Sequence, residues 1–104
     1  MILGPSGQNI YPEELEAVIN NTSYVVDSLV IEDSGSLVAL IYPDYHQGEL
    51  DGMKRAQLEE RLTAALPEIN KQLPNYAQIR KIEFMPEDFE RTPKRSIKRY
   101  LYQR

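Results

Sequence analysis

Residues 37–41, Leu-Val-Ala-Leu-Ile, limit the folds open to this chain more than any other segment. Asp33-Ser34-Gly35-Ser36 precedes these five consecutive apolar residues and Pro43-Asp44 follows them, so they read as a short β-strand with no polar face. Such a strand belongs in the centre of a sheet, covered on both sides. A chain of 104 residues can bury one modest core around it but not two, so residues 1–104 are expected to form a single domain.

The segment before it, residues 24–31, is rich in β-branched residues and forms a hairpin with residues 37–42 across that turn. Upstream, Ile10-Tyr11-Pro12-Glu13-Glu14-Leu15-Glu16 starts a helix: proline suits the first helical position, and carboxylates in the first turn complement the helix dipole. Leu15, Val18 and Ile19 form its apolar stripe, and Asn20-Asn21 ends it. Residues 43–52 read as a polar loop holding His46.

Beyond the loop, Leu58, Leu62, Leu66, Ile69 and Leu73 recur at steps of four, four, three and four, one face of a long helix. Pro67 interrupts it by removing a helical donor and crowding the carbonyl of Thr63, which predicts a kink or two abutting helices. Past Leu73-Pro74-Asn75-Tyr76, Ile82 and Phe84 alternate with Lys81 and Glu83, a third strand with one wet face. The order helix, strand, strand, helix, strand, tail gives a small α+β domain with a three-stranded sheet packed by helices.

Composition excludes several classes. Hydrophobic residues make up 41% and charged residues 27%, which argues against disorder, and no apolar run approaches the roughly 20 residues of a membrane span. With no cysteine, one histidine and no signal-peptide pattern at residues 1–5, the expected location is the cytoplasm. The same deficit removes the usual makings of zinc and thiol centres, leaving chemistry to Lys, Arg, carboxylates and the backbone. Charge is unevenly spread. Residues 91–104 hold six basic side chains and no acidic one, while the rest carries six basic against sixteen acidic. A basic tail on an acidic body is either a solvated face or an anion-binding segment. Tail contacts to phosphate would be worth roughly 1.5–3 kcal/mol each.

Two segments stand out as candidates for chemistry. Gly4-Pro5-Ser6-Gly7-Gln8-Asn9 is either a plain turn feeding the helix or a place where glycine lets backbone approach a ligand. Thr92-Pro93-Lys94-Arg95-Ser96-Ile97-Lys98-Arg99 supplies the cations. His46, with no second histidine or cysteine, reads as an ordinary surface residue. Tyr100 and Tyr102 either stack on bases or pack the terminal segment against the body.

The two segments together carry a resemblance. GQNIYPEELE, residues 7–16, resembles the segment after the hinge of adenylate-forming enzymes, a group that includes acyl-CoA synthetases, luciferases and the adenylation domains of peptide synthetases. The tail resembles the pattern Thr-Pro-x-x-Lys-Ile-x-Arg that closes those chains. LVALIYPD, residues 37–44, and INKQLPNYAQI, residues 69–79, look like the bacterial long-chain fatty acid branch. The resemblance implies the mobile C-terminal lid domain of an AMP-forming fatty acid–CoA ligase. In such enzymes a carboxylic acid attacks the α-phosphate of ATP, and the thiol of CoA then displaces AMP. A large N-terminal domain, absent from residues 1–104, would hold ATP with its Mg and the acid, so this chain alone is expected to be inert and to hold no cofactor itself. The lid would swing to present the tail in the first step and the post-hinge loop in the second.

On this sequence the resemblance marks Gly7, with Gln8 and Asn9, as the edge of a channel for the pantetheine arm, and Lys98 and Arg99 as cofactor-binding cations. The family's adenylation lysine falls on Ser96, which has neither the charge nor the reach of lysine; by analogy with a lost oxyanion donor, adenylation would drop roughly 10²–10³-fold. Lys94 and Lys98 are possible substitutes, each about 7 Å away along an extended tail. Two other readings stand beside this one: an acyl-AMP ligase that transfers to a carrier protein, and a free-standing anion-binding module gripping nucleic acid. The acidic body disfavours the second, and no nucleic acid partner is expected.

Overall fold

The turn at residues 33–36 shapes the sheet. In the computed structural model, which describes residues 1–4 and 7–104, Ser34 (φ 53°) and Gly35 (φ 81°) both have positive φ, the backbone twist that suits a two-residue hairpin. They join β3 (Val25–Asp33) to β4 (Ser36–Pro43) in antiparallel register, with Leu29 opposite Leu40 and Ile31 opposite Val38. The third strand, β5 (Ile79–Phe84), pairs with β4 in parallel, so the order is β3-β4-β5 and the apolar strand is central. A separate two-stranded ribbon, β1 (Ile2–Leu3) and β2 (Asn9–Ile10), precedes α1 (Pro12–Asn20).

A parallel pair needs a long crossover, and residues between β4 and β5 supply it with three short helices. Two of them, α3 (Arg55–Ala64) and α4 (Leu66–Lys71), abut at Pro67, which occupies the first turn of α4. The first, α2 (Tyr45–Leu50), corrects the loop expected at 43–52. Asp44 starts it by accepting the Gln47 N–H at 3.0 Å, and buried Gly48 lets it lie against Leu58. His46 is exposed on its surface.

Both faces of β4 are covered, by different means. Leu37, Ala39 and Ile41 face a core completed by Leu15 and Ile19 of α1, Leu58 and Leu62 of α3, and Ile69 of α4. Val38 and Leu40 face the opposite way, into a second cluster with Leu29, Ile31 and Phe89, against which Ile97 and Tyr102 pack. The second cover is the tail itself. Phe89 and Tyr102 meet edge to face at 5.2 Å, and the Tyr102 hydroxyl accepts the Glu90 N–H. Tyr102 thus takes the packing role, whereas Tyr100 is exposed. No helix among the described residues is long and apolar enough to cross a membrane.

Candidate functional site

Pro93 sits where a turn wants it. The Thr92 carbonyl accepts the Arg95 N–H at 2.8 Å, which makes residues 92–95 a β-turn with proline, its φ preset, in second position. Arg95 follows at φ 68°, in the left-handed region, and the Thr92 N–H then donates to the Ser96 carbonyl at 2.8 Å. Arg91 and Ile97 bridge across the stem. The extended tail expected at 92–99 is therefore a closed hairpin loop. The fixed φ of proline and the positive φ of Arg95 reverse the chain there, and the 7 Å spacing of an extended strand does not apply.

The six basic residues of the tail divide into two sets. Arg91 donates to Asp27 at 2.8 Å and to Asp88 at 3.1 Å. Arg99 reaches Glu16 with both terminal nitrogens, the Nη1 contact at 2.9 Å. Arg104 bonds Glu83 and Asp33. These carboxylates hold each of the three guanidiniums above its ordinary pKa, through hydrogen bonding first, with burial opposing. Lys94, Arg95 and Lys98 make no ion pair among the described residues. Lys94, Arg95 and Ser96 are exposed and Lys98 is half-buried. About half of the tail's charge thus neutralises the acidic body, and the rest faces outward from one loop.

The anchors lie along one strand edge. β3 has β4 on one side only, so the backbone groups of its outer edge are left to side chains or water. Glu16, buried on α1, accepts the Val30 N–H at 2.8 Å, and Asn20 bonds both Asp27 and Ser28. Asp27, Val30 and Asp33 of this one strand therefore meet Arg91 directly, Arg99 through Glu16, and Arg104 directly. Sequence reasoning missed Glu16. A signal was present, since Pro12, Leu15, Glu16 and Ile19 fall on one helical face and all four are buried.

At the other end, Gly7 has φ 82°, and a Cβ built there would meet nothing within 4 Å. Its N–H donates to the Gly4 carbonyl, and the Gly4 N–H donates to Gln8 at 2.7 Å, which closes the β1–β2 ribbon. Pro5 and Ser6 lie outside the described residues. Gly7, Gln8 and Asn9 are exposed in a row leading directly into α1. A cavity of about 290 Å³ is lined by Met1 and Leu3 of this ribbon region together with Arg99 and Arg104 of the tail. The ribbon region and the tail therefore meet at one cavity with Pro12 and Glu13 at the start of α1, although Gly7 and Ser96 belong to separate loops and do not line it.

A small α+β domain that shows two open loops on one scaffold is the class of protein that the fold and site define. The chain belongs to the AMP-binding enzyme C-terminal domain family, whose model matches residues 1–104. No curated protein matches it. Among solved structures it is similar to a Mycobacterium tuberculosis fatty acyl CoA synthetase, with 24% identity and TM-score 0.66 over 97% of this chain and 18% of that one. It is similar to the adenylation domain of a carboxylate reductase from Mycobacterium chelonae, with 18% identity and TM-score 0.77 over 96% of this chain and 17% of that one. It is likewise similar to ATP-bound MatB from Rhodopseudomonas palustris, with 22% identity and TM-score 0.67 over 97% and 18%. The chain spans less than a fifth of each of these three structures.

Proposed function

We propose that residues 1–104 are the mobile C-terminal domain of a cytoplasmic AMP-forming ligase that joins a long-chain fatty acid to CoA at the expense of ATP, the ATP, its Mg and the acid being held by a larger N-terminal domain. The observation that carries this reading is the division of the tail: three arginines anchor it, and the loop they anchor offers Lys94, Ser96 and Lys98 to a partner. Lysine charge near the α-phosphate would offset the negative charge shared by phosphate and carboxylate in the adenylation step. Because the loop is a closed turn, Lys94 and Lys98 flank Ser96 on the same hairpin and are suited to stand in for a lysine at that position. In the thioester step the Gly7 turn would line the channel, its bare backbone leaving room for the pantetheine arm. Alone, the chain would not turn over.

Restoring Ser96→Lys in the full-length enzyme tests the assignment. Ser96 is exposed, so lysine fits without disturbing the loop. Pyrophosphate release is expected to rise, by up to roughly 10²–10³-fold if the flanking lysines contribute little. An unchanged rate in Ser96→Lys, together with an unchanged rate when Lys94 and Lys98 are replaced by alanine, would remove this loop from the adenylation step.

In a second reading, a carrier protein brings the thiol. Offering CoA and a phosphopantetheinylated carrier as competing acceptors separates the two.

A further inference from the structure

Glu16 is the most deeply buried charged side chain that the proposed chemistry leaves unused, at 6% exposure. Carboxylates are rarely buried so far unless paired. Glu16 is fully engaged: one oxygen takes the Val30 N–H at 2.8 Å and Arg99 Nη1 at 2.9 Å, and the other takes Arg99 Nη2. Glu13, one turn earlier, adds a longer contact to Arg99 at 3.8 Å.

A buried ion pair is a poor way to gain stability, because an apolar pair of similar volume often does as well. What a forked guanidinium on a carboxylate supplies is a fixed direction. Here the direction matters. Arg99 stands one residue beyond the loop of residues 92–98, and Arg91, on Asp27, stands one residue before it. Both stems are thus tied to β3, at positions three residues or about 10 Å apart. Glu16 in turn belongs to α1, which continues directly from β2 and the Gly7 turn. One carboxylate therefore links the tail, next to its loop, to the helix that follows the glycine loop.

We propose that Glu16 and Arg99 are a positioning pair for the adenylation step, holding the loop that carries Lys94, Ser96 and Lys98 at a set angle to α1. The inference rests on the functional reading above, and it goes beyond it by assigning Arg99 an internal role instead of a contact to the nucleotide. Positioned charge is sensitive to small displacements, and an error of 1 Å can cost about 10²-fold in rate.

The test uses the full-length enzyme and the variants Arg99→Met, Arg99→Lys and Glu16→Gln. Glu16→Gln keeps an acceptor for Val30 and nearly the same shape, so it remains informative if Arg99→Met folds poorly. Two quantities are read: amide exchange at Thr92, Arg95 and Lys98, and the rates of the two half-reactions, the second started from supplied acyl-adenylate. Exchange at those amides is expected to rise at least about tenfold while β4 stays protected. The adenylation kcat is expected to fall about 10–10²-fold with little change in KM for ATP, and the thioester step to change less than about twofold. Arg99→Lys should lie between, since one donor replaces a fork.

Unchanged exchange in Arg99→Met and Glu16→Gln would overturn the proposal. So would a loosened loop with an unchanged adenylation rate, or an equal fall in both half-reactions. A wild-type enzyme that makes no acyl-adenylate overturns the functional reading and the catalytic half of this proposal together, and the exchange data then still decide whether the pair orders the loop.

Discussion

The same charge type does opposite work at neighbouring positions of the tail. Arg91, Arg99 and Arg104 close on carboxylates, where a planar fork is well suited, whereas Lys94 and Lys98 have flexible single-point charges and no acidic partner among the described residues. Arg95 accepts a left-handed backbone that glycine would adopt more cheaply, which shows that the turn is imposed by its surroundings. Glu83 gives a pH signature. The hydrogen bond from Arg104 is the main cause that holds its carboxyl down from 4.5 to about 2, Lys81 assists, and burial opposes. Because the folded value lies below the unfolded one, this contribution is complete above pH 4.5 and is lost as pH falls toward 2. Arg104→Gln is expected to lower stability above pH 5 and to flatten the acid decline, with the two proteins converging near pH 2. Urea midpoints measured across that range check this; parallel curves would refute it.

Among the elements, the side-chain amides of Asn70 and Gln78 tie the crossover to the start of β5. Asn70 of α4 donates to the Ile79 carbonyl at 2.9 Å and accepts the Ile79 N–H at 2.8 Å, so one side chain pairs with the first residue of β5 as another strand would. Its replacement leaves both backbone groups half-buried without partners. Asn70→Ala is expected to destabilise the domain by about 1–3 kcal/mol. For a domain of this size that corresponds to a melting point lower by roughly 4–8 °C per kcal/mol, readable by calorimetry. Asn70→Asp keeps the acceptor and should fall between. The helices flanking Pro67 were legible in the sequence because proline removes a specific hydrogen bond. Helix α2 was not legible, since its six residues, Tyr-His-Gln-Gly-Glu-Leu, lack a clear apolar period and are held by the Asp44 cap and by the fit of Gly48 on Leu58.

Across the whole molecule the tail is a structural layer as well as a candidate reactive segment. It covers Leu29, Ile31, Val38 and Leu40, which would otherwise form an apolar patch on the outer face of the sheet. Removing residues 89–104 is therefore expected to abolish the cooperative thermal transition and to produce dye-binding, associating species. A truncated chain that still melts cooperatively as a monomer would show that the sheet does not need this cover. The arrangement also bears on domain motion, because a loop fixed to the same strand and helix as the glycine turn would move with it as one body.

By itself the sequence determined the three strands of the main sheet, the helix boundaries at Pro12 and Pro67, and the central place of residues 37–41, because each of these follows from local dihedral preference or from an apolar period; the β1–β2 ribbon, two residues a side, carries no such period. It also carried the family through two short segments. Tertiary structure decided which cations are spent and which stay free, since pairing depends on carboxylates as far as 83 positions away in the chain, as between Glu16 and Arg99. It likewise decided that the tail covers the outer face of the sheet. Long-range packing sets that contact, and no local pattern encodes it.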